Sequence, residues 1–183
     1  MIQYHQITNS DYSPIYYTLV AYNRAVSVGK YFFRTDCIFE ANMIVDGVYL
    51  GNINSVYDFD QLKANGITHI ISAIAGFNPP SPLSFQYLVI DALDSTNSKI
   101  SDCFESCNSF IKTALDNDGK VLVHCMAGRS RSAAIVGGFL IHQFGMSSVE
   151  AVSLMQTKRP IVQPNESFMI QLEAYNSSVF IDK

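Results

Sequence analysis

Apolar positions along the chain change their period, and each change marks an element. Ile100, Cys103, Phe104, Cys107, Phe110, Ile111, Ala114 and Leu115 recur at three- and four-residue steps, the spacing that lays one helix face on a core. Asp118-Gly119 stops that helix. Three more helical stretches follow: Arg131 to Phe144 closed by Gly145, Val149 to Lys158 capped by Ser147 with Glu150, and Phe168 to about Asn176 after Pro164-Asn165. Earlier in the chain the apolar runs are short and unbroken. Ile67 to Ala73, Tyr87 to Ile90 and Val121 to Val123 read as strands covered on both faces. Met43 to Leu50 reads as two short strands around the Asp46-Gly47 turn, and Ser55 with Asp58 makes a capping-box-like start for a helix ending near Gly66. Phe77 to Pro82 holds three prolines and must be a loop. Strands alternating with helices and then a run of helices predict an α/β fold, a three-layer sandwich whose central, mostly parallel sheet is flanked by helices.

Residues 1–41 are rich in aromatics but carry no sustained period, apart from a helix from Ser13 to Val28 opened by Pro14. They read as an aromatic-rich arm or helix, either packed on the core or offered to a partner. A single folded domain is expected over residues 42–178, with no repeat and no linker inside it. Cys103 and Cys107 fall on the core face of their helix, as small buried hydrophobes rather than redox or metal groups.

Composition narrows the class. With 183 residues, 48% apolar and 15% charged, the chain is long enough to bury a core without staples. A formal charge of −4 and a pI near 5.4 argue against affinity built on many nucleic-acid phosphates; no nucleic acid is expected as a partner. The longest apolar run, the nine residues from Ala133 to Ile141, is far below the ~18 that would suggest a membrane span. Met1 to Gln6 lacks the basic and apolar regions of a secretory signal. Four cysteines, Cys37, Cys103, Cys107 and Cys125, are too few in a chain this long for a disulfide scaffold. A reducing compartment is expected, the cytoplasm with the nucleus also open. His5, His69, His124 and His142 are scattered without chelating spacing, and no nucleotide-binding loop occurs, so neither metal nor cofactor is implied. Nothing in the pattern specifies an oligomeric state.

The chemistry is concentrated in Lys120-Val121-Leu122-Val123-His124-Cys125-Met126-Ala127-Gly128-Arg129-Ser130-Arg131-Ser132. An apolar strand runs into a cysteine, then a short loop of small and basic residues, then an apolar helix. Loop N–H groups and the free N–H groups of the helix start converge there, and the helix dipole favours negative charge. A cysteine at that lip has its thiolate stabilised by the same field. Arg131 can fold its planar fork back over the loop and grip two phosphate oxygens.

This arrangement resembles the signature of the cysteine-dependent phosphatases, His-Cys, five residues, then Arg followed by Ser or Thr. Ala127, Gly128 and Ser130 make it similar to the dual-specificity branch in particular. Asp46 to Gly51, Leu62 to Ile70, Asp94 to Ile100, Lys158-Arg159-Pro160 and Pro164 to Phe168 are also similar to family segments, so the likeness covers roughly residues 42–176. With no Trp in the chain, the Trp-Pro-Asp acid loop of the tyrosine-specific branch is absent.

The resemblance implies a protein tyrosine phosphatase-like fold and a two-step displacement. Cys125 attacks phosphorus to give a phosphocysteine, while Met126, Ala127, Gly128, Arg129, Ser130 and Arg131 hold the phosphate. The leaving oxygen needs an acid, for which Asp91 and Asp94 are candidates; the family spacing to Ile100 selects Asp94. Ser132 would donate to the Cys125 sulfur, and His124 would orient the loop through backbone contacts. Asn165 would tie down the loop or cap the last helix. Lys158 and Arg159 would add positive potential at the rim or simply end a helix in solvent. Arg129 would be a solvated rim side chain or an attractor for doubly phosphorylated substrates. The implied partner is a phosphorylated protein, with phosphotyrosine and phosphoserine or phosphothreonine as substrates. The competing readings are a phosphatase for a non-protein ester such as a phosphoinositide and a phosphoprotein-binding adaptor.

Overall fold

The structure is a computed structural model and describes residues 1–5, 17–18, 20–25, 29, 38–81 and 83–181. Six strands form one sheet: β1 (Ile2–His5), β2 (Ala41–Val45), β3 (Val48–Gly51), β4 (Ile67–Ala73), β5 (Gln86–Ile90) and β6 (Lys120–His124). Their order is β1-β5-β4-β6-β3-β2, and every neighbouring pair is parallel except β2 with β3. The expected α/β sandwich with a mostly parallel sheet is therefore observed. β4 and β6 lie in the middle, where all their residues are buried except Thr68, which is exposed, and Lys120, which is half-buried.

Among the described residues after β3 lie the helices α1 (Phe59–Ala64), α2 (Phe104–Leu115), α3 (Arg131–Phe144), α4 (Ser148–Lys158) and α5 (Glu166–Ile181). α3 leaves the end of β6, packs on β3, β4 and β6, and is covered in turn by α2, α4 and α5. All its residues from Arg131 to Ile141 are buried. Gly137 and Gly138 make that possible. A Cβ on Gly137 would meet Leu172 of α5 at 3.2 Å, and one on Gly138 would meet the Phe104 ring of α2 at 3.0 Å. The missing methyls let two helices approach a third closely enough to seal the core beneath the loop that joins β6 to α3. No single helix among the described residues is long and apolar enough to cross a membrane.

Several boundaries differ from the sequence reading. Ser55 does not open a helix: residues Ser55–Tyr57 make a 3-10 turn, and α1 starts only at Phe59 with Asp58 as its cap, accepting from the Gln61 N–H at 3.1 Å. Ser55 is buried and its Oγ accepts from the Glu40 N–H at 3.0 Å, so a tertiary bond takes the hydroxyl that the capping pattern assigned to the helix. Ile100–Cys103 is a 3-10 turn before α2, and α5 runs from Glu166 to Ile181, beyond both expected ends. The Ser147–Glu150 capping box of α4 is formed as read.

The start of the chain carries a strand that the pattern did not reveal. Ile2–His5 pairs with β5, and the Tyr87 N–H donates to the Met1 carbonyl at 2.9 Å. Four residues are too few to show a period, and β5 supplies the missing order by offering an unpaired edge. Residues 20–25 are helical; the helix start at Pro14, most of the N-terminal aromatics and Cys37 lie outside the described residues.

Candidate active site

The loop between β6 and α3 is built so that its carbonyls face outward. The Cys125 carbonyl lies 3.4 Å from Nδ1 of His124. The Met126 carbonyl accepts from the Ile53 N–H at 3.2 Å, the Arg129 carbonyl from the Gln163 N–H at 2.9 Å and the Ser130 carbonyl from the Ala134 N–H at 2.8 Å. Those of Ala127 and Gly128 accept from Arg159, at 3.2 and 2.8 Å. With every carbonyl from 125 to 130 engaged on the outside, the N–H groups of the same peptides are left for the inside. Gly128 turns the chain at φ +67°, and a Cβ there would stand 2.5 Å from the Gly51 carbonyl oxygen. Only glycine fits that position.

Cys125 lies in the resulting cradle. Its sulfur accepts from the Gly128 N–H at 3.3 Å and from the Ser132 hydroxyl at 3.2 Å. Burial raises the thiol, but the Arg131 guanidinium, the Ser132 hydroxyl and the N–H groups of Ser132 and Arg129 outweigh it. The thiol is held below its ordinary range, favouring the nucleophilic thiolate.

His124 is fully buried and pushed down to about 4, by burial first and then by the positive charge of Arg131, so it is neutral. A neutral imidazole donates from one nitrogen only. Nδ1 faces a carbonyl, which can only accept, so Nδ1 carries the proton. Nε2 then accepts from the Ser72 hydroxyl at 2.7 Å. An edge contact with Phe77 fixes the ring plane. His124 thus orients the loop through the Cys125 carbonyl, and Ser72, which no sequence pattern indicated, orients His124.

Arg131 is nearly buried. It donates from Nη1 to the Ala92 carbonyl at 3.2 Å, while its buried Nε has no hydrogen-bond partner among the described residues. An unsatisfied guanidinium donor near the Cys125 sulfur, in a ring of N–H groups, suits a dianionic phosphate. Asp94 stands across from it, Oδ2 being 3.6 Å from Arg131 Nε. Asp94 Oδ1 accepts from the Ser130 hydroxyl at 2.7 Å and from Asn165 Nδ2 at 2.9 Å. Asp91 instead accepts from the Gly76 N–H at 3.0 Å, bracing a turn. Of the two candidate acids, Asp94 is hydrogen-bonded to the loop through Ser130. Asn165 does both things proposed for it, since its Oδ1 also accepts from the Phe168 N–H at the start of α5.

Arg129 and Lys158 are exposed, and the Arg129 guanidinium rests on the Gln163 side-chain carbonyl. Arg159 is neither a rim charge nor a solvated helix end: it is 3% exposed and bonded to the loop, to Glu40 and to Asn42. Its position one residue past α4 suggested solvent; its five bonds lie across more than 30 residues of chain, where no local pattern reaches. Glu40, Asn42, Ser72 and Gln163 were missed for the same reason. Cys103 and Cys107 are buried free thiols, as expected of core residues. Among the described residues no group of three or more His, Cys, Asp or Glu could hold a metal ion.

Comparison with known proteins agrees with this geometry. The family described as dual specificity phosphatase, catalytic domain, matches residues 48–178. The chain is 35% identical over 136 residues to Dual specificity protein phosphatase 1B of Arabidopsis thaliana, covering 74% of this chain and 81% of the relative. Among solved structures, DUSP15 superposes with a TM-score of 0.75 at 34% identity, over 79% of this chain and 92% of that one. The human tyrosine phosphatase-like serine/threonine/tyrosine-interacting protein gives a TM-score of 0.73 at 34% identity, over 77% and 98%.

Proposed function

The chain belongs to the dual-specificity phosphatase family, and from that premise we propose that it hydrolyses phosphoprotein esters through a phosphocysteine formed on Cys125. It is a cysteine-dependent protein phosphatase. In the first step the Cys125 thiolate attacks phosphorus, the inward N–H groups and Arg131 take the equatorial oxygens, and the bond to the leaving oxygen breaks. Asp94 passes its proton to that oxygen, so an alcohol departs and a carboxylate remains. In the second step water attacks the phosphocysteine, Asp94 takes back a proton, and inorganic phosphate leaves. The Ser132 hydroxyl donates to the departing sulfur and stabilises the thiolate that reforms.

One observation carries this reading: the Cys125 sulfur is buried yet held toward thiolate by Arg131, Ser132 and loop N–H groups. A buried thiolate needs such a cradle, and a phosphate fits the same donors. Its need to stay reduced supports a location in the cytoplasm, with the nucleus also open.

Cys125→Ser is the test. The serine keeps the shape and the Ser132 contact but not the thiolate, so turnover of an aryl phosphate should fall to background while binding of inorganic phosphate persists. Acid quenching of the wild type during turnover of a 32P-labelled phosphopeptide should leave label on the protein, and the variant should carry none. Substantial residual turnover in Cys125→Ser would overturn the mechanism.

A further inference from the structure

Arg159 lies outside the signature loop yet touches two of its peptides. Its Nε donates to the Gly128 carbonyl at 2.8 Å and its Nη2 to the Ala127 carbonyl at 3.2 Å. The remaining donors are taken by Glu40 Oε1 at 2.9 Å, Asn42 Oδ1 at 3.0 Å and the Glu40 carbonyl at 3.4 Å. All five N–H groups of the guanidinium are thereby satisfied. Glu40 is held in its turn: Asn52 Nδ2 donates to its Oε2 at 2.7 Å, and its own N–H donates to Ser55. Both Glu40 and Asn42 precede residue 48, where the family match begins.

The two carbonyls belong to peptides with a second end. The Ala127 carbonyl shares its peptide plane with the Gly128 N–H, and the Gly128 carbonyl shares its plane with the Arg129 N–H. Those N–H groups are donors to the Cys125 sulfur. Rotating either peptide would turn an N–H away from the sulfur and a carbonyl oxygen toward it. Gly128, already at positive φ, offers little resistance to such a rotation. Arg159 therefore grips the outer end of each peptide whose inner end faces the nucleophile.

We propose that Arg159, oriented by Glu40, is a positioning residue of the phosphatase reaction that keeps the 127–128 and 128–129 peptides turned with their N–H groups on Cys125. The proposal rests on the assignment of Cys125 as nucleophile. Residues 40–42 are then part of the active site, although they lie before the matched domain. The groups facing the Cys125 sulfur are Arg131 and Ser132 from the start of α3 and the N–H groups of Gly128, Arg129 and Ser132; His124 is neutral, Asp94 faces Arg131, and Glu40 lies on the outer side against Arg159.

Alkylation of Cys125 by iodoacetamide, followed across pH on the full chain, reads the thiolate without turnover. Arg159→Met should move the midpoint upward by ~1 pH unit or more, since it frees two N–H bonds to a charged sulfur. It should also weaken inhibition by inorganic phosphate about tenfold and raise KM for p-nitrophenyl phosphate more than it lowers kcat. Arg159→Lys keeps the charge but can serve only part of the pair of carbonyls, so its midpoint should fall between the two. Glu40→Gln should shift the midpoint in the same direction by less. If Arg159→Met does not fold, the lysine and Glu40→Gln variants decide. Lowered melting temperatures with midpoints and phosphate inhibition within about twofold of wild type would overturn the proposal and leave Arg159 a stabilising contact only. A wild type without a depressed midpoint would instead sink the nucleophile assignment beneath it.

Discussion

At the scale of single residues, the site works by fixing the hydrogen-bond partners of Cys125, His124 and Asp94. Asp94 is gripped at Oδ1 by Ser130 and Asn165, which leaves Oδ2 toward Arg131 and the mouth of the cradle. If Asp94 protonates the departing oxygen, Asp94→Asn should cost about 100- to 10,000-fold on alkyl and tyrosyl phosphates, whose leaving alcohols are weak acids. Nitrophenyl and fluorinated coumarin phosphates should lose much less, and kcat measured across this series checks it. Equal losses throughout would make Asp94 structural. His124 yields a prediction of a different kind. It is neutral when folded, with its proton affinity pushed from 6.5 to about 4, while in the unfolded chain it titrates normally. Between these values the unfolded state binds the proton and the folded state does not. Its contribution is therefore fully present above pH 6.5 and is lost as pH falls toward 4, by on the order of 3 kcal/mol. Urea unfolding of wild type and His124→Gln from pH 7 to 4 should converge toward the acid end. Parallel curves would show that His124 does not titrate between the two states.

At the scale of elements, strand β6 delivers Cys125 and helix α3 delivers Arg131, so the distance between the sulfur and the guanidinium depends on how α3 sits on the sheet. Gly137 and Gly138 set that seat, and they are not equivalent. The ring that a Gly138 methyl would meet belongs to Phe104, which is fully buried and stacked edge-on to Tyr175 with centroids 5.1 Å apart. The Leu172 methyls facing Gly137 stand farther off and sit at the end of a rotatable side chain. Helix propensity favours alanine over glycine by about 1 kcal/mol at both positions. Overpacking a rigid core costs ~1–3 kcal/mol, so Gly138→Ala should lower the melting temperature and Gly137→Ala should leave it near or above that of the wild type. Thermal denaturation followed by circular dichroism orders the pair, and the reverse order would show that α5 is the tighter neighbour.

At the scale of the molecule, local and long-range information divide cleanly. The helices α2 and α3, the strands β4 and β6, the capping box of α4 and the Cys125 to Arg131 loop are all legible in the sequence. In each case the residues that cooperate lie within one or two turns of chain, and periodicity or spacing records their contact. The placement of Asp94 beside the loop was reached only through likeness to a family, since it is 36 residues from Ser130. Where a pattern was misread, a distant partner had claimed the group: Ser55 bonds Glu40 instead of capping α1, and Ile2–His5 becomes a strand because β5 has a free edge. Arg159 is the sharpest case. A charged residue at a helix end is solvated by default, because burying it costs several kcal/mol unless every donor is satisfied. The sequence by itself determined that Cys125 and Arg131 share one turn between a buried strand and a helix start. Only the tertiary structure decided that Ser72 would orient His124, and that Glu40 and Asn42, 119 and 117 residues before Arg159, would complete its shell of acceptors. Such a shell forms only when segments far apart in the chain are brought together, and it is the shell that lets a charge be buried beneath the catalytic loop.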